Sequence, residues 1–486
     1  MHLRDHVILY VNGHRHEVRG ERAFKSLSDF LRYDLGLVGT KVVCAEGDCG
    51  SCSVMLGRSD GTRISYETVC SCIQFLYQLD CTHIVTIEGL AYDGGLNPIQ
   101  DAMVRCHGTQ CRFCTPGFVV SLCAMFDERA TPPAANDVRD ACIGNLCRCN
   151  GYDSIVRAGM SVQPATVRSL QQLYPPERIA GDRRQRGSDT VLVESGDRKF
   201  CKPATIGAAV TFRAQNPGCT IIAGGTDIGV QINKNQRDPK IILALSGLSE
   251  LRTVESKDVA IVAGALGSIA QLEDVARLAL PEYANMLKYF GSIPIRNAGT
   301  VGGNIANGSP IGDSMPAMFV LNAEIELTGT NGARRVNINE FYTGYRKTVA
   351  SPDELITRVF IPLPAPDDIF KLYKISRRKD LDISAFTAAI WIKRDGEIIT
   401  DVRIAFGGVG PVILRLNKTE EFLRGNALTE STVAEAGQIA RTEISPITDV
   451  RGSAEYRSQL GENILRKFYV ELSEVAANGS GNVDRR

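Results

Sequence analysis

Charge of one sign is what this sequence most plainly lacks. Its 486 residues carry 55 Lys and Arg against 55 Asp and Glu, so no net field draws the chain to nucleic acid or to an acidic membrane. Long apolar runs are missing too. The opening "MHLRDHVILYVNGHRHEV" alternates apolar and polar residues as a strand does, with neither a signal-peptide core nor a cleavage site. No later stretch is long enough to span a bilayer. A cytoplasmic protein is expected, with neither membrane nor nucleic acid as partner. Histidine is scarce, and all six precede residue 110. His14 and His16 share a strand face without a third ligand nearby, so a solvated hairpin explains them better than a metal site. Neither a G-x-G-x-x-G following a strand nor a G-x-x-x-x-G-K-[ST] occurs, which excludes a Rossmann fingerprint and a P-loop.

Cysteine, by contrast, is abundant and skewed. Thirteen of the 15 cysteines, all but Cys201 and Cys219, precede residue 150. In a reducing compartment disulfides are rare, so such a density calls for metal or redox chemistry. Cys44, Cys49 and Cys52 in "KVVCAEGDCGSC" follow C-x4-C-x2-C, the spacing of plant-type 2Fe–2S ferredoxins. A fourth thiolate is expected further on, and "VCSC" offers Cys70 and Cys72. Zinc, which also takes four thiolates, is the competing reading, with a non-enzymatic zinc-bearing scaffold as its consequence. A second group comprises Cys111 and Cys114 in "QCRFCTPG" with Cys147 and Cys149 in "GNLCRCNGY". Thr115-Pro116 reads as a helix start whose unpaired N–H groups favour an anionic cluster. Cys81, Cys106, Cys123, Cys142, Cys201, Cys219 and the unused one of the "VCSC" pair read as small packing residues.

The length fits roughly three ordinary domains. Val7, Leu9 and Val11 alternate before an Asn12-Gly13 turn, which predicts a hairpin; Leu27, Phe30, Leu31 and Leu35 have helical spacing, and "HIVTIEGL" supplies a further strand. Asn97-Pro98 and Thr115-Pro116 read as N-caps followed by proline, and Asn136 as the cap of a third helix. Residues 163–197 lose periodicity and read as a linker, and residues 477–486 as a disordered tail. "TIIAGGTDIGV" is an apolar strand broken by glycines, and "IRNAGTVGGNIANGSPIGDSMP" repeats the theme. Both suit a backbone that approaches phosphate oxygens.

"EGDCGSCSVML", "QCRFCTPGFVVS" and "GNLCRCNGYDSI" resemble the iron–sulfur domains of the molybdenum hydroxylases, the xanthine dehydrogenase and aldehyde oxidase family. The two glycine loops resemble the family's FAD-binding domain in the same chain order, so the resemblance covers nearly everything except the linker and tail. It implies a multidomain α+β fold: a ferredoxin-like β-grasp 2Fe–2S domain over 1–90, a four-helix 2Fe–2S domain over 91–162, an α+β FAD-binding domain over 198–369 and an α+β C-terminal flavoprotein domain over 370–476. It implies Cys72 as the fourth plant-type ligand, Cys70 being the fallback, and Cys111, Cys114, Cys147 and Cys149 as the second set. Ile222, Ala223, Gly224, Gly225, Thr226, Asp227 and Ile228 would wrap the FAD pyrophosphate. Thr300, Gly303, Asn304, Asn307 and Asp313 would complete the phosphate and adenine contacts, with Leu355 and Lys374 around the flavin. Tyr345 and Asp380 match positions near the nicotinamide of NAD. Val42-Val43 stand where the family usually has Glu-Gly, and Arg112 where it has Gly. "YRKT" and "ISRRKDLDIS" point toward the xanthine dehydrogenase branch. The resemblance then implies the small, iron–sulfur and FAD-binding subunit of a bacterial enzyme. It would pass electrons from molybdopterin in a large partner subunit through two 2Fe–2S clusters to FAD and NAD, as hypoxanthine and xanthine become urate. A dimer of such heterodimers is the expected assembly. No residue of this chain is assigned as a catalytic base. The same subunit of an aldehyde- or N-heterocycle-oxidising relative is the alternative.

Overall fold

A computed structural model of the chain describes residues 2–92 and 94–477; residues 478–486 of the expected tail lie outside them. The first domain is a five-stranded sheet in the order His14–Arg19, His6–Val11, Thr82–Val85, Ser53–Ser59, Ile64–Cys70. Only the central pair, His6–Val11 with Thr82–Val85, is parallel. The hairpin forms as predicted: Val11 pairs with His14, and both Asn12 and Gly13 are left-handed, the turn whose twist matches that of the strands. Leu27–Asp29 starts a short helix capped by Ser26, whose Oγ accepts from the Asp29 N–H at 3.1 Å. One wider turn, Phe30–Asp34, continues it. Leu27, Phe30 and Leu31 are buried against the sheet.

Four helices follow: Pro98–Arg105, Thr115–Phe126, Ala135–Ala141 and Asp153–Ser161. Asn97 caps the first as expected, accepting from Ile99 N and Gln100 N. The other two caps differ from the sequence reading. Thr115 is already helical and Cys114 stands at the cap without a side-chain bond. Asn136 lies inside its helix, and the Asp137 carboxylate instead accepts from the Ala134 N–H at 2.9 Å. In each case the cap is one or two residues earlier than the Asn or Thr that looked like one; only at the second does another side chain, Asp137, serve the helix start.

The segment read as a linker is structured. Glu177–Arg186 is a helix and Thr190–Ser195 a strand. One buried apolar contact, Ile179 on Ile8, Tyr10 and Ile64, and Asp182, which accepts from Tyr10 Oη and Arg15 Nε at 2.7 Å each, hold the helix to the first domain. So short an apolar stripe on so charged a helix leaves no periodic signal.

Thr190–Ser195 opens a sheet in the order Leu3–Arg4, Thr190–Ser195, Arg198–Lys202, Ile241–Ala244, Thr220–Ile222. Residues Leu3–Arg4 therefore pair outside the N-terminal domain they were assigned to. Phe200, Ile222 and Ile242 share one continuous core with Val7, Leu9, Val54 and Leu56 of the first domain, which fixes the two domains against each other. A second, wholly antiparallel sheet contains Ala260–Gly264, Leu355–Pro362 and Glu324–Gly329 at its centre. The last domain is a four-stranded antiparallel sheet, Ile369–Ile375 to Leu414–Arg415, whose Phe386 and Phe406 pack under helices Glu430–Glu443 and Ala454–Ala477. No helix among the described residues is long and apolar enough to cross a membrane.

Candidate metal centres and nucleotide cleft

The loop bearing Cys44, Cys49 and Cys52 runs into the strand Ser53–Ser59, and Cys72 sits in the single turn Ser71–Ile73 after the neighbouring strand. Strand pairing thus brings the fourth thiol to the loop: Ser53 is opposite Cys70. Cys72 meets both Cys44 and Cys52, whereas Cys70 meets Cys52 and turns its Sγ toward the Gly47 carbonyl at 3.5 Å. Contact with Cys49, then with Cys72, draws the Cys44 thiol well down from its ordinary range. Contacts with Cys70 and Cys72 do the same for Cys52. The same contacts push the Cys49 and Cys72 thiols up, as expected of neighbouring thiols that share protons; the thiolate is the form that binds metal.

In the second group Cys149 Sγ lies 3.5 Å from Cys111 Sγ and 4.0 Å from Cys147 Sγ, and Cys147 in turn meets Cys114. Cys114 directly precedes the helix Thr115–Phe126, so the amide end of that helix faces the thiols. Against the effect of burial, an N–H from Asn150 at 3.3 Å and the contact with Cys114 hold Cys147 below its ordinary value. Cys111 and Cys149 are exposed, Cys147 buried. Arg112 has φ 69°, the left-handed region, which accounts physically for the usual glycine there. Among the described residues no three His, Cys, Asp or Glu side chains converge as the ligands of one ion would; the thiols of each group are linked in a chain of neighbouring contacts.

The two groups touch through their backbones. The Leu146 N–H donates to the Cys49 carbonyl at 3.0 Å. This approach needs glycine: a Cβ on Gly50 would stand 2.1 Å from the Gly144 oxygen, and one on Gly117 2.1 Å from the Gly50 oxygen.

On its other side the first group abuts a cleft of about 570 Å3 between the two sheets of the following domain. Asn233 Nδ2 donates to the Cys72 and Ala45 carbonyls at 2.8 Å each. Gln74 Nε2 reaches the Gly224 carbonyl at 2.9 Å, and Gln78 Nε2 the Ala223 carbonyl at 3.0 Å. Ala223 through Ile228 line the cleft, as do Thr300, Gly303, Asn304, Asn307 and Leu355. Ile222 does not: it is a core residue. Asp313 and Lys374 do not line it either. They form a buried ion pair at 2.7 Å, with Ser384 Oγ donating to Asp313 at 2.5 Å and Lys374 Nζ to the Tyr289 carbonyl at 2.8 Å; burial nevertheless pushes the Asp313 carboxyl up. Tyr345 is exposed and Asp380 half-buried, both outside the cleft lining. The glycines also work differently from the sequence reading. Gly224 is closed off by the Ala298 carbonyl, 1.9 Å from where a Cβ would be, and Gly225, at φ +77°, faces the Gln78 side chain at 2.8 Å. They pack the loop against its neighbours on one side while still lining the cleft on the other.

Sequence reasoning missed Phe290, Arg213 and Arg346, which also line the cleft; isolated residues far from any glycine loop give no signal. The Nε of Arg213 is buried without a partner. Guanidinium groups for phosphate, apolar walls such as Phe290 and Leu266 for rings, and a volume typical of cofactor sites fit a dinucleotide such as FAD.

Comparisons with known proteins agree with this layout. Residues 86–160 match the "[2Fe-2S] binding domain", 195–364 the "FAD binding domain in molybdopterin dehydrogenase", and 371–472 the "CO dehydrogenase flavoprotein C-terminal domain". This chain carries the iron–sulfur and FAD-binding domains of the molybdenum hydroxylase family. Its relatives in that family include xanthine dehydrogenase 1 of Arabidopsis thaliana, 27% identical over 98% of this chain, and the xanthine dehydrogenase of Oryza sativa, 29% identical over 96%. The chain spans about 40% of the length of these relatives. Among solved structures, carbon monoxide dehydrogenase from Hydrogenophaga pseudoflava is 26% identical at a TM-score of 0.53, covering 55% of this chain and 94% of its own. Quinoline 2-oxidoreductase from Pseudomonas putida 86 is 26% identical at 0.52, covering 57% and 96%.

Proposed function

We propose that the chain is the iron–sulfur and FAD subunit of a xanthine dehydrogenase. It would relay electrons from a molybdopterin-bearing partner through two 2Fe–2S clusters to FAD and NAD as hypoxanthine and xanthine are oxidised to urate. Cys44, Cys49, Cys52 and Cys72 would hold one cluster and Cys111, Cys114, Cys147 and Cys149 the other. When bound, the clusters carry single electrons and the flavin exchanges both single electrons and hydride. The observation that carries the reading is continuity. The Leu146–Cys49 hydrogen bond joins the two thiol groups, and Asn233 and Gln74 join the first group to the cleft.

The chain's own residues would divide the remaining work. Asn233 fixes the backbone of Cys72, and the Asn150 N–H stabilises charge on Cys147 sulfur. Arg213 and Arg346 would neutralise the cofactor phosphates. Tyr345 and Asp380 would flank an incoming nicotinamide. The exposed Cys111 and Cys149 leave the second group open to a partner, in keeping with a dimer of heterodimers. Asp313 and Lys374, with Ile222, would support the cofactor through the walls of its cleft. The matches to carbon monoxide dehydrogenase and quinoline 2-oxidoreductase favour, as a second reading, the same relay serving a different substrate.

The test is to purify the chain with whatever it holds and to assay iron, acid-labile sulfide, flavin and visible absorption. Two distinct EPR signals on reduction and NADH-dependent dye reduction are expected. With the partner chain restored, NAD-dependent xanthine oxidation supports the first reading; oxidation of another heterocycle or an aldehyde alone supports the second. A colourless, zinc-containing chain would overturn both.

A further inference from the structure

A second cavity, of about 540 Å3, shares Ala223, Gly224, Leu266 and Thr300 with the nucleotide cleft but otherwise opens among different residues. Its walls come from three parts of the chain. The N-terminal sheet supplies Arg58 and Tyr66, the helix Glu177–Arg186 supplies Arg183, and the FAD-binding domain supplies Arg252. Three carboxylates line it as well, and each is engaged. Glu67 is ion-paired with Arg58, Asp60 is held within its own turn by Thr62 and the Arg63 N–H, and Asp80 is bound by Arg4 and Lys202. Among the described residues Arg183 and Arg252 meet no carboxylate, and Arg252 Nη2 donates only to the Ser246 carbonyl at 3.2 Å. The Ser246 hydroxyl, in the same wall, is buried without a hydrogen-bond partner. Burial, and then the charge of Arg183, press Arg252 down to about 10, as befits a cation lacking its counter-charge. Neighbouring guanidinium groups beside an unused hydroxyl donor are the chemistry that recognises phosphate.

We propose that this interdomain cavity is a second ligand site, for a phosphate-bearing anion gripped by Arg183 and Arg252 with Arg58 beside them. The volume lies in the range of small-molecule sites and exceeds the needs of a lone phosphate, which favours a nucleotide over the free anion. The site is separate from the flavin reading and holds whether or not that reading does.

The experiment is calorimetric titration of the full chain, with the cofactors it retains, in phosphate-free buffer at low ionic strength. Pyrophosphate and ADP are the probes. One saturable site is expected, with ADP bound at least tenfold more tightly; equal affinities would keep the phosphate site and assign it to the free anion. The doubly substituted Arg183→Gln, Arg252→Gln chain should bind either probe at least tenfold more weakly, with flavin content and NADH–dye activity unchanged. Ser249→Glu, at an exposed position in the wall, sets a carboxylate into the cavity without touching the fold and should weaken binding likewise. It decides the matter if the arginine variant does not fold. No binding of either probe, or unaltered binding in Ser249→Glu, overturns the proposal.

Discussion

Leu146 donates its backbone N–H to the carbonyl of Cys49 over 3.0 Å. The residue before Cys147 is thereby tied to a thiol-bearing residue of the other group. A route of one hydrogen bond links the two sets of cysteines, and the loops close on it because Gly50 and Gly117 carry no Cβ.

Gly117→Ala tests this closeness. Gly117 lies in a helix, where Ala is favoured by about 1 kcal/mol. Yet its Cβ would press on the Gly50 carbonyl and Asn145. We expect the substitution to destabilise the cluster-loaded protein by about 1–3 kcal/mol in thermal melts and to slow reduction of the second cluster. A variant as stable as the parent would mean the loops have room to spare.

Cys72→Ser should abolish or distort the plant-type cluster, while Cys70→Ser leaves its absorption and EPR intact. Cys72 touches two of the three loop thiols and Cys70 one. The reverse pattern would assign the fourth ligand to Cys70.

Gly225→Val should lose flavin and NADH–dye activity together while both cluster signals remain. The cause is a left-handed φ of +77° and a collision with Gln78, which displace the loop carrying Thr226 and Asp227. Gly225→Ala in a Gln78→Ala background removes the collision and leaves the backbone strain of about 1–2 kcal/mol; it should regain part of the flavin. Full flavin occupancy in Gly225→Val would remove this loop from the site.

His83 should make stability pH-dependent. It is fully buried, and burial lowers it to about 3. Its Nε2 accepts from Gly13 N at 3.1 Å, so the proton sits on Nδ1, which faces Tyr66 Oη at 2.7 Å. Below the unfolded value near 6.5 the unfolded chain binds a proton that the folded chain refuses. Stability therefore falls as pH drops from about 6.5 toward 3, by at most about 1.4 kcal/mol per pH unit. His83→Gln keeps a donor and an acceptor without titrating, so urea melts between pH 4.5 and 6.5 should show a flatter dependence. An unchanged slope would locate the titration elsewhere.

The sequence by itself determined the elements whose signal is local. The spacing of Cys44, Cys49 and Cys52, the second pair of cysteine doublets, the Asn12-Gly13 hairpin and the Asn97 cap all depend on neighbours within a few residues. The order of domains was equally legible, because cysteine usage and glycine loops change abruptly along the chain. The tertiary structure decided everything that depends on what a residue faces. Cys72 and Cys70 differ by two positions, and only the pairing of Ser53 with Cys70 settles which reaches more of the loop. Gly224 and Gly225 looked like room for phosphate, yet their Cβ positions belong to Ala298 and Gln78. Asp313 and Lys374 looked like cleft residues and are a buried pair behind it. The helix Glu177–Arg186 leaves no signal because a single buried isoleucine, one ion pair and a few hydrogen bonds hold it. Periodicity records how much apolar surface an element buries, and that helix buries too little to leave one.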